Sequence, residues 1–511
     1  MASFYIPVAA QFTSNFAVFK AFRPLSVARR LKIRTQTKVA TPSSGATAAA
    51  PGLKRDYLSF WEVAAQSVAN IAPVATPTLI IPLVFASGGN GTWLAYLLAT
   101  LAMLLMAFEI NQFARRSASS GSLYAFVFKG LGPTAGVISG WSLVIAYIFT
   151  GGAVLAGGAN YVMVLGHLAL SARHDTQVAL GGMVGILVIC WWLAYRDIQL
   201  STRAMLFLEF SSMFLILILA LAFLARSGKV IDSSQLKMTG SSAGGIRLAL
   251  ILAVFSFVGF ESSTALGVEA KNPLHTIPRS VWLSVVIVGV FYIFMSYVMV
   301  LAFQGQPVPL DKSVEPFTTI ARLARMPGFG IAIAVGAVMS QLGCGLASLN
   351  AAARVIYAMG QHGVLDKSAG AAHKQHSTPH IAVSISSIAI LAVPFVMLLH
   401  GTAVLDIFNY LGSIATFGFL IAYIFIAIAG PAYLRRRGEL GTRTILISIL
   451  ALFLLLMPLV GSVYPQPAPP SNYLPYVFLG MLGLGTGWFL YLRAKKPGVI
   501  IQMAESMEAG K

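Results

Sequence analysis

The sequence predicts an all-α integral membrane protein with twelve transmembrane helices. Of its 511 residues, 57% are apolar and only 10% are charged, and the mean hydropathy is +0.80. Soluble domains carry about 25% charged residues, so this chain has too little polar surface to cover itself in water. Apolar stretches of about 20 residues, the length that crosses a bilayer core, recur throughout. These observations exclude a disordered chain and an ordinary soluble enzyme.

We number the apolar stretches as segments 1 to 12. Each has the length and composition of a membrane-spanning helix. In chain order they cover 62–86, 91–114, 134–165, 178–196, 200–226, 247–268, 281–303, 329–359, 381–400, 405–430, 443–463 and 472–493. The predicted membrane domain is 56–495, followed by a cytoplasmic C-terminal tail at 496–511.

The charges between the segments predict the orientation of the chain. The net charge is +19, which alone would suggest a nucleic-acid partner. If the N-terminus is cytoplasmic, 27 of the 35 Lys and Arg residues fall on the cytoplasmic side and 8 on the other side. The positive-inside rule expects such a bias. We therefore predict a plasma-membrane protein with both termini cytoplasmic, surrounded by the lipid bilayer, and no nucleic-acid partner.

Residues 1–55 differ from the rest of the chain. They contain nine Lys and Arg residues, no acidic residue, and a stretch rich in Ser, Thr and Ala. This composition predicts a disordered cytoplasmic tail. An organellar targeting peptide would have a similar composition, and a start codon assigned too far upstream would also explain it.

Two segments contain residues that break helices. Segment 1 carries Pro73 and Pro77, each of which removes an N–H donor and clashes with the preceding turn. Segment 6 carries Gly259 beside Glu261 and small hydroxyl residues. Breaks at matching positions in two halves of a chain are typical of transporters with inverted repeats, whose substrate binds at the breaks. The alternative for segment 1 is an ordinary proline kink.

Three sequence motifs carry a family resemblance. The run FSFVGFESSTALGVEAKNPLHTIPRS (255–280) resembles the amino acid–polyamine–organocation (APC) permease superfamily, through its Gly-Phe-Glu, Lys-Asn-Pro and Ile-Pro-Arg elements. The runs SASSGSLYAFVFKGLGPTAG (117–136) and AAARVIYAMGQHGVLD (351–366) are similar to two further signatures of that superfamily. The resemblance spans about 57–495. Two departures are Ala75-Thr76-Pro77, where many members have glycines, and His275, where an arginine is common.

The resemblance implies a LeuT-like fold of two inverted five-helix repeats plus two helices. It also implies transport of amino acids or related amines, often coupled to protons or to exchange. At Ala75-Thr76-Pro77 the departure affects how a substrate carboxylate is held, because glycines allow close approach and prolines donate no hydrogen bond.

The two breaks supply groups that suit a zwitterion. The half-helix after Pro77 presents N–H donors and a positive dipole end to a carboxylate. Backbone carbonyls at 70–74 and 255–258 suit an ammonium group, and the resemblance places an aromatic cap at Phe255, for which simple packing is the alternative. The predicted substrate-binding residues are Ala72, Val74, Ala75, Thr76, Thr78, Phe255, Ser256, Gly259, Tyr147 and Ser348.

Acidic residues inside the membrane are candidates for proton coupling, because an unpaired carboxylate there is costly. Glu261 follows the break in segment 6, and Glu209 lies in segment 5. For Glu261 the alternative is a permanently hydrogen-bonded strut, and for Glu209 a salt bridge or a protonated packing residue. Glu109 is expected to pair with Arg115 or Arg116. Glu62 and Asp406 lie near segment ends.

No motif predicts a cofactor or a metal site. His373, His376 and His380 have spacing that a metal could use, but they lie in a polar loop that we interpret as solvated. Cys190 and Cys344 lie inside segments and are interpreted as small apolar fillers.

The sequence therefore predicts a secondary transporter of an amino acid or amine, working by alternating access with proton symport. One alternative is an exchanger without net proton coupling, and sodium coupling is another. A remote alternative is an integral membrane enzyme. The expected partners are the small-molecule substrate and H⁺, and the scarcity of acidic groups favours neutral amino acids.

Overall fold

The computed structural model describes residues 52–170, 175–313, 316–464 and 468–509. These residues form α-helices joined by short turns. The helices are α1 (Phe60–Ile71), α2 (Ile81–Gly88), α3 (Thr92–Ala114), α4 (Ser122–Leu131), α5 (Pro133–Leu170), α6 (Asp175–Arg196), α7 (Ile198–Ser227), α8 (Ser233–Leu236), α9 (Ala243–Phe255), α10 (Pro273–Phe303), α11 (Pro316–Leu323), α12 (Phe329–Gln361), α13 (His380–Leu399), α14 (Val404–Arg436), α15 (Thr442–Gly461), α16 (Leu474–Lys495) and α17 (Gly498–Ala509).

The all-α prediction is confirmed for the described residues, which contain no β-strand. Among them are ten spans long and apolar enough to cross a membrane. The first, Phe60–Ala114, covers predicted segments 1 and 2 together, and segment 6 is represented by the shorter apolar helix Ala243–Phe255. Twelve separate crossings and the inverted repeat remain predictions.

Helix α5 is the central element of the helical domain. It packs along both α12 and α14, while α3 packs on α10 and α7 on α12. Close packing is possible because α5 carries glycines where its neighbours approach: a Cβ on Gly157 would lie 2.5 Å from Nε2 of Gln341 in α12. Helices α15 and α16 have mostly exposed apolar faces, as expected for helices that face lipid.

The residues before α1 are attached to the domain. A parallel bridge pairs Leu58 with Ala270, and the Leu58 N–H donates to the carbonyl of Glu269 at 2.9 Å. Lys54 forms an ion pair with Asp197, between α6 and α7. Although burial acts to raise the pKa of Asp197, the hydrogen bond from Lys54 and nearby N–H groups hold it below its usual value. The predicted tail at 1–55 lies largely outside the described residues.

A buried ion pair joins two of the sequence motifs. Nε and Nη2 of Arg354 donate to the two carboxylate oxygens of Glu269, at 2.6 and 2.9 Å. The exposed fractions of these side chains are 1% and 0%. Nη1 of Arg354 also donates to the Asn350 carbonyl at 3.0 Å. This bidentate geometry fixes α12 against the chain that leads into α10.

We expect Glu269→Gln to lower the free energy of unfolding by about 3–5 kcal/mol, because it leaves the Arg354 charge buried without an anion. Denaturant unfolding of the detergent-solubilised protein measures the change. The matched control is Glu439→Gln, which breaks exposed pairs with Arg116 and Arg437 and should leave the free energy of unfolding nearly unchanged. Equal losses in the two variants would contradict a structural role specific to the buried pair.

Candidate functional site

The first break lies in predicted segment 1. Helix α1 ends at Ile71, and Ala72 adopts a left-handed conformation with φ +52°. Pro73 follows directly and cannot continue the α1 hydrogen-bond ladder. A π-helical turn, Thr76–Ile80, then leads into α2. The break predicted from the two prolines is therefore present, and it interrupts the helix over 72–75.

The second break lies in predicted segment 6. Helix α9 ends at Phe255, turns follow, and a 3₁₀ turn covers Ser262–Leu266. Gly259 has φ +89°, and a Cβ there would lie 1.9 Å from Nδ2 of Asn70. Only glycine fits, because the two breaks touch at this point.

Side chains supply hydrogen bonds to both interrupted backbones. Tyr292 of α10 donates its hydroxyl to the carbonyls of Ile71 and Ser256, at 3.4 and 3.3 Å. The Gly259 N–H donates to the hydroxyl of Tyr423 in α14 at 3.0 Å. Asn70 donates from Nδ2 to the Gly259 carbonyl at 3.4 Å. Backbone away from helical geometry needs such partners inside a membrane.

The breaks enclose a central cavity of about 50 Å³. Most of its wall is apolar, and none of the described Asp, Glu, Lys or Arg residues contributes to it. Helices α1, α5, α9, α12 and α14 all contribute. The lining residues are Asn70, Ile71, Ala72, Ala75, Thr76, Ile80, Thr150, Ala153, Val154, Phe255, Ser256, Val258, Cys344, Phe408, Gly412 and Ala415.

Half of the predicted substrate-binding residues line this cavity, namely Ala72, Ala75, Thr76, Phe255 and Ser256. The others lie near it but outside its wall. Thr78 bonds back to the carbonyls of Val74 and Ala75, at 2.9 Å each, and its N–H also donates to Val74. The Thr78 N–H is therefore not the free donor that the half-helix was predicted to supply. The carbonyls of Ile71, Val74 and Ser256, predicted to be available to an ammonium group, already accept hydrogen bonds from Tyr292 or Thr78.

The remaining predicted residues support the breaks. Ser348 donates its hydroxyl to Oδ1 of Asn70 at 2.8 Å. Tyr147 hydrogen-bonds Glu261. Val74 and Gly259 are buried within the breaks themselves.

Several cavity residues were missing from the prediction. Phe408, Gly412 and Ala415 recur at helical spacing on one face of α14, and Thr150 lies on α5. The Thr150 hydroxyl is buried and has no hydrogen-bond partner within the described residues. Cys344 donates its thiol to the carbonyl of Asn70 at 3.4 Å, so it does more than fill space. Helical spacing places these three α14 residues on one face, but it does not indicate that this face turns toward the cavity.

Gln341 is a second residue that the prediction missed. It lies one turn before Cys344 and two before Ser348 on the α12 face that meets the first break. Its side chain is fully buried, and neither amide atom has a partner among the described residues. It packs against Gly157 and Gly158 of α5, and Phe408 of the cavity wall packs against the same Gly157. A buried amide without partners is costly, which marks this position as functionally unusual.

Glu261 is hydrogen-bonded on both carboxylate oxygens. Tyr147 donates to Oε1 at 2.6 Å, and Tyr423 donates to Oε2. These contacts connect the second break to α5 and α14. This arrangement matches the alternative interpretation of Glu261, a permanently hydrogen-bonded strut.

Glu209 has a less complete set of partners. Ser340 donates to its Oε2 at 2.9 Å, while Oε1 is buried without a partner in the described part of the chain. That oxygen lies against Gly343, the residue before Cys344. A fully buried carboxyl group with one free oxygen therefore lies directly behind the cavity wall.

The ion pair expected for Glu109 is wrong. Its Oε1 accepts a hydrogen bond from Ser448 of α15 at 2.8 Å, whereas Arg116 pairs with Glu439. The physical reason is the orientation of the Glu109 side chain. Its carboxylate points toward Gly430 of α14 and Ser448 of α15, and away from Arg115 and Arg116 at the end of α3.

The two acids near segment ends have ordinary positions. Glu62 caps the start of α1, accepting the Ser59 N–H at 2.7 Å, and pairs with Arg203. Asp406 is exposed in the first turn of α14.

The three loop histidines surround Tyr195. Their ring centroids lie 5.5 to 6.1 Å from the tyrosine ring. Nδ1 of His373 accepts the backbone N–H groups of Gln375 and His376, at 3.2 Å each. This packing gives the histidines a structural role.

A larger cavity of about 410 Å³ lies next to the central one, toward the ends of α2 and α15. Ile80 and Phe255 line both cavities. These two side chains therefore form the partition between them.

On the side of the central cavity away from the larger cavity, residues of the three sequence motifs contact one another. Ser122 contacts Thr264 hydroxyl to hydroxyl at 2.6 Å, and the Tyr124 hydroxyl lies 2.8 Å from Nδ1 of His362. Burial lowers the pKa of His362 to about 4, so its ring is neutral at physiological pH. Together with the pair of Arg354 and Glu269, these contacts form a polar layer across the bundle.

Known proteins resemble this chain. A permease of branched-chain amino acids from Bacillus subtilis is 24% identical over 69% of this chain and 76% of its own length. The low-affinity putrescine importer PlaP of Escherichia coli is 25% identical over 66% of this chain and 72% of its own. The mouse cationic amino acid transporter 4 is also 25% identical, over 66% of this chain and 53% of its own.

The family model for amino acid permeases matches residues 62–501, which include both breaks, the central cavity and the polar layer. The protein therefore belongs to the amino acid permease family, and it is a multi-pass membrane transporter and not an enzyme.

Proposed function

We propose that this protein moves neutral amino acids across a plasma membrane by alternating access, in symport with protons. The observation that carries the proposal is the small cavity between two interrupted helices, whose mostly apolar wall carries the hydroxyl residues Thr76, Thr150 and Ser256 and, among the described residues, no charged side chain. In this scheme the chain crosses the membrane twelve times, in two inverted five-helix repeats plus two helices, with both termini cytoplasmic.

The cavity wall favours a neutral substrate. A zwitterion brings two charges that the breaks can meet with hydroxyls, with the second lone pair of carbonyls such as that of Ser256, and with the helix dipole at Thr76. A cationic side chain would need a third, acidic partner, and no acidic residue in the described part of the chain lines the cavity. Phe255 and Ile80 then act as the gate toward the larger cavity, and the polar layer as the gate on the other side. At about 50 Å³ the cavity must widen to admit an amino acid.

Glu209 is the better placed of the two predicted proton carriers. Glu261 is held by two tyrosine hydroxyls, whereas Glu209 keeps one free oxygen behind the cavity wall. Widening of the cavity around Cys344 would bring water to that oxygen. Because an ionised carboxylate is costly when it returns to the closed site, Glu209 takes up a proton with the substrate.

Uptake into proteoliposomes tests the proposal. We expect an inward proton gradient to drive accumulation of radiolabelled neutral amino acids, an uncoupler to abolish it, and polyamines and cationic amino acids to compete poorly. Uptake that ignores the gradient but requires unlabelled amino acid inside would show an exchanger instead. Accumulation driven only by sodium would contradict proton coupling.

Glu209→Gln should abolish gradient-driven accumulation and retain exchange, because the amide keeps the size and the hydrogen bond of the carboxyl group but carries no proton. The measurement compares net uptake with counterflow in the same vesicles. Glu109→Gln is the matched control, since Glu109 is another buried acid with a serine partner but lies against Gly430, whereas Glu209 lies against Gly343, next to the cavity residue Cys344. Loss of accumulation in Glu261→Gln, with Glu209→Gln unaffected, would transfer the coupling role to Glu261.

Gln341→Leu should raise the KM for uptake about 5- to 10-fold. When the cavity widens, the Gln341 amide can hydrogen-bond the substrate, and the loss of one hydrogen bond costs about 1 kcal/mol. Its thermal stability should be unchanged or higher, because the substitution removes two buried unpaired polar atoms. Both quantities are measured on the same preparation.

The matched control is Gln66→Leu. Gln66 is also buried, but its Nε2 donates to the Ala347 carbonyl at 2.7 Å. This variant should lose stability while its KM stays close to that of the wild type. An unchanged KM in Gln341→Leu would contradict a substrate contact.

A further inference from the structure

A groove of about 930 Å³ lies at the end of the bundle where α1 starts, separate from the central cavity. The start of α1, the end of α3 and the first turns of α10 form its walls. Most of these walls are apolar and aromatic, from Phe60, Trp61, Leu274, Trp282 and Val286. Trp61 is 53% exposed, which is unusual for so large an apolar side chain.

Two arginines line the same groove. Arg115 comes from the end of α3 and Arg279 from α10, with His275 one turn away on α10. Both arginine side chains are exposed, and neither has an ion pair or a hydrogen bond within the residues the structure describes. Other arginines at this end of the bundle do have partners: Arg116 pairs with Glu439, and Arg203 with Glu62.

We propose that this groove binds an anionic phospholipid. A guanidinium pair presents paired donors to a phosphate group. The apolar wall along α10 offers a surface for an acyl chain, and tryptophans prefer the level of the headgroups. Basic residues beside a membrane-spanning helix attract anionic headgroups in this way. A free anion would match the two charges but leave the apolar wall unused.

The location gives the lipid an effect on the fold. Phe60 and Trp61 belong to the first turn of α1, the half-helix that leads into the first break. Arg279 belongs to α10, whose Tyr292 contacts both breaks. An anionic lipid in the groove therefore bridges α1 and α10 and stabilises the arrangement of these helices that the structure shows.

The test uses the full-length protein in detergent and does not depend on any transport activity. Its thermal unfolding is followed while phosphatidylglycerol, phosphatidylcholine or inorganic phosphate is added. We expect phosphatidylglycerol alone to raise the melting temperature. Stabilisation by phosphate alone would show a free-anion site, and equal stabilisation by phosphatidylcholine would show unspecific lipid binding; either result would overturn the proposal.

The variants Arg115→Gln, Arg279→Gln and the double variant identify the site. We expect the apparent affinity for phosphatidylglycerol to fall about fivefold for each arginine removed. Arg196→Gln is the matched control, because Arg196 is exposed and lies over the Trp192 ring but outside the groove. A double variant that keeps the wild-type affinity, or a control that loses it equally, would contradict this site.

Discussion

The structure depends on one constraint: backbone that leaves a helix inside a membrane must find its hydrogen bonds elsewhere in the protein. Two helices are interrupted at the same depth, and each break meets the other where Gly259 touches Asn70. The tyrosines of α10 and α14 then supply the partners that water would supply in a soluble protein. The cavity lies where the interrupted helices meet, and its walls come from α1, α5, α9, α12 and α14.

The three sequence motifs contact one another on one side of the cavity. The pair of Arg354 and Glu269, the contact of Ser122 with Thr264 and the contact of Tyr124 with His362 each connect residues from two motifs or their flanks. These polar contacts join separate helices on this side of the cavity, and the buried, bidentate pair of Arg354 and Glu269 is charge-assisted.

The sequence predicted the features that act locally. Pro73 and Gly259 determine the conformation of their own backbone, so both breaks could be located. The rotation of α14 is determined by its packing on α5, and Phe408 and Gly412 were therefore missed. The pairing of Arg354 with Glu269 spans 85 positions of sequence and has no local signal. Glu109 was paired with the nearest cations in sequence, although its side chain points toward a different helix.

One hydroxyl group has a mechanical consequence. Tyr292 contacts the carbonyl of Ile71 in the first interrupted helix and that of Ser256 in the second. Neither carbonyl can move away from α10 without changing the surroundings of the other. A single hydroxyl group therefore joins both interrupted helices to α10, and a displacement of either helix at this point changes the hydrogen bonding of the other.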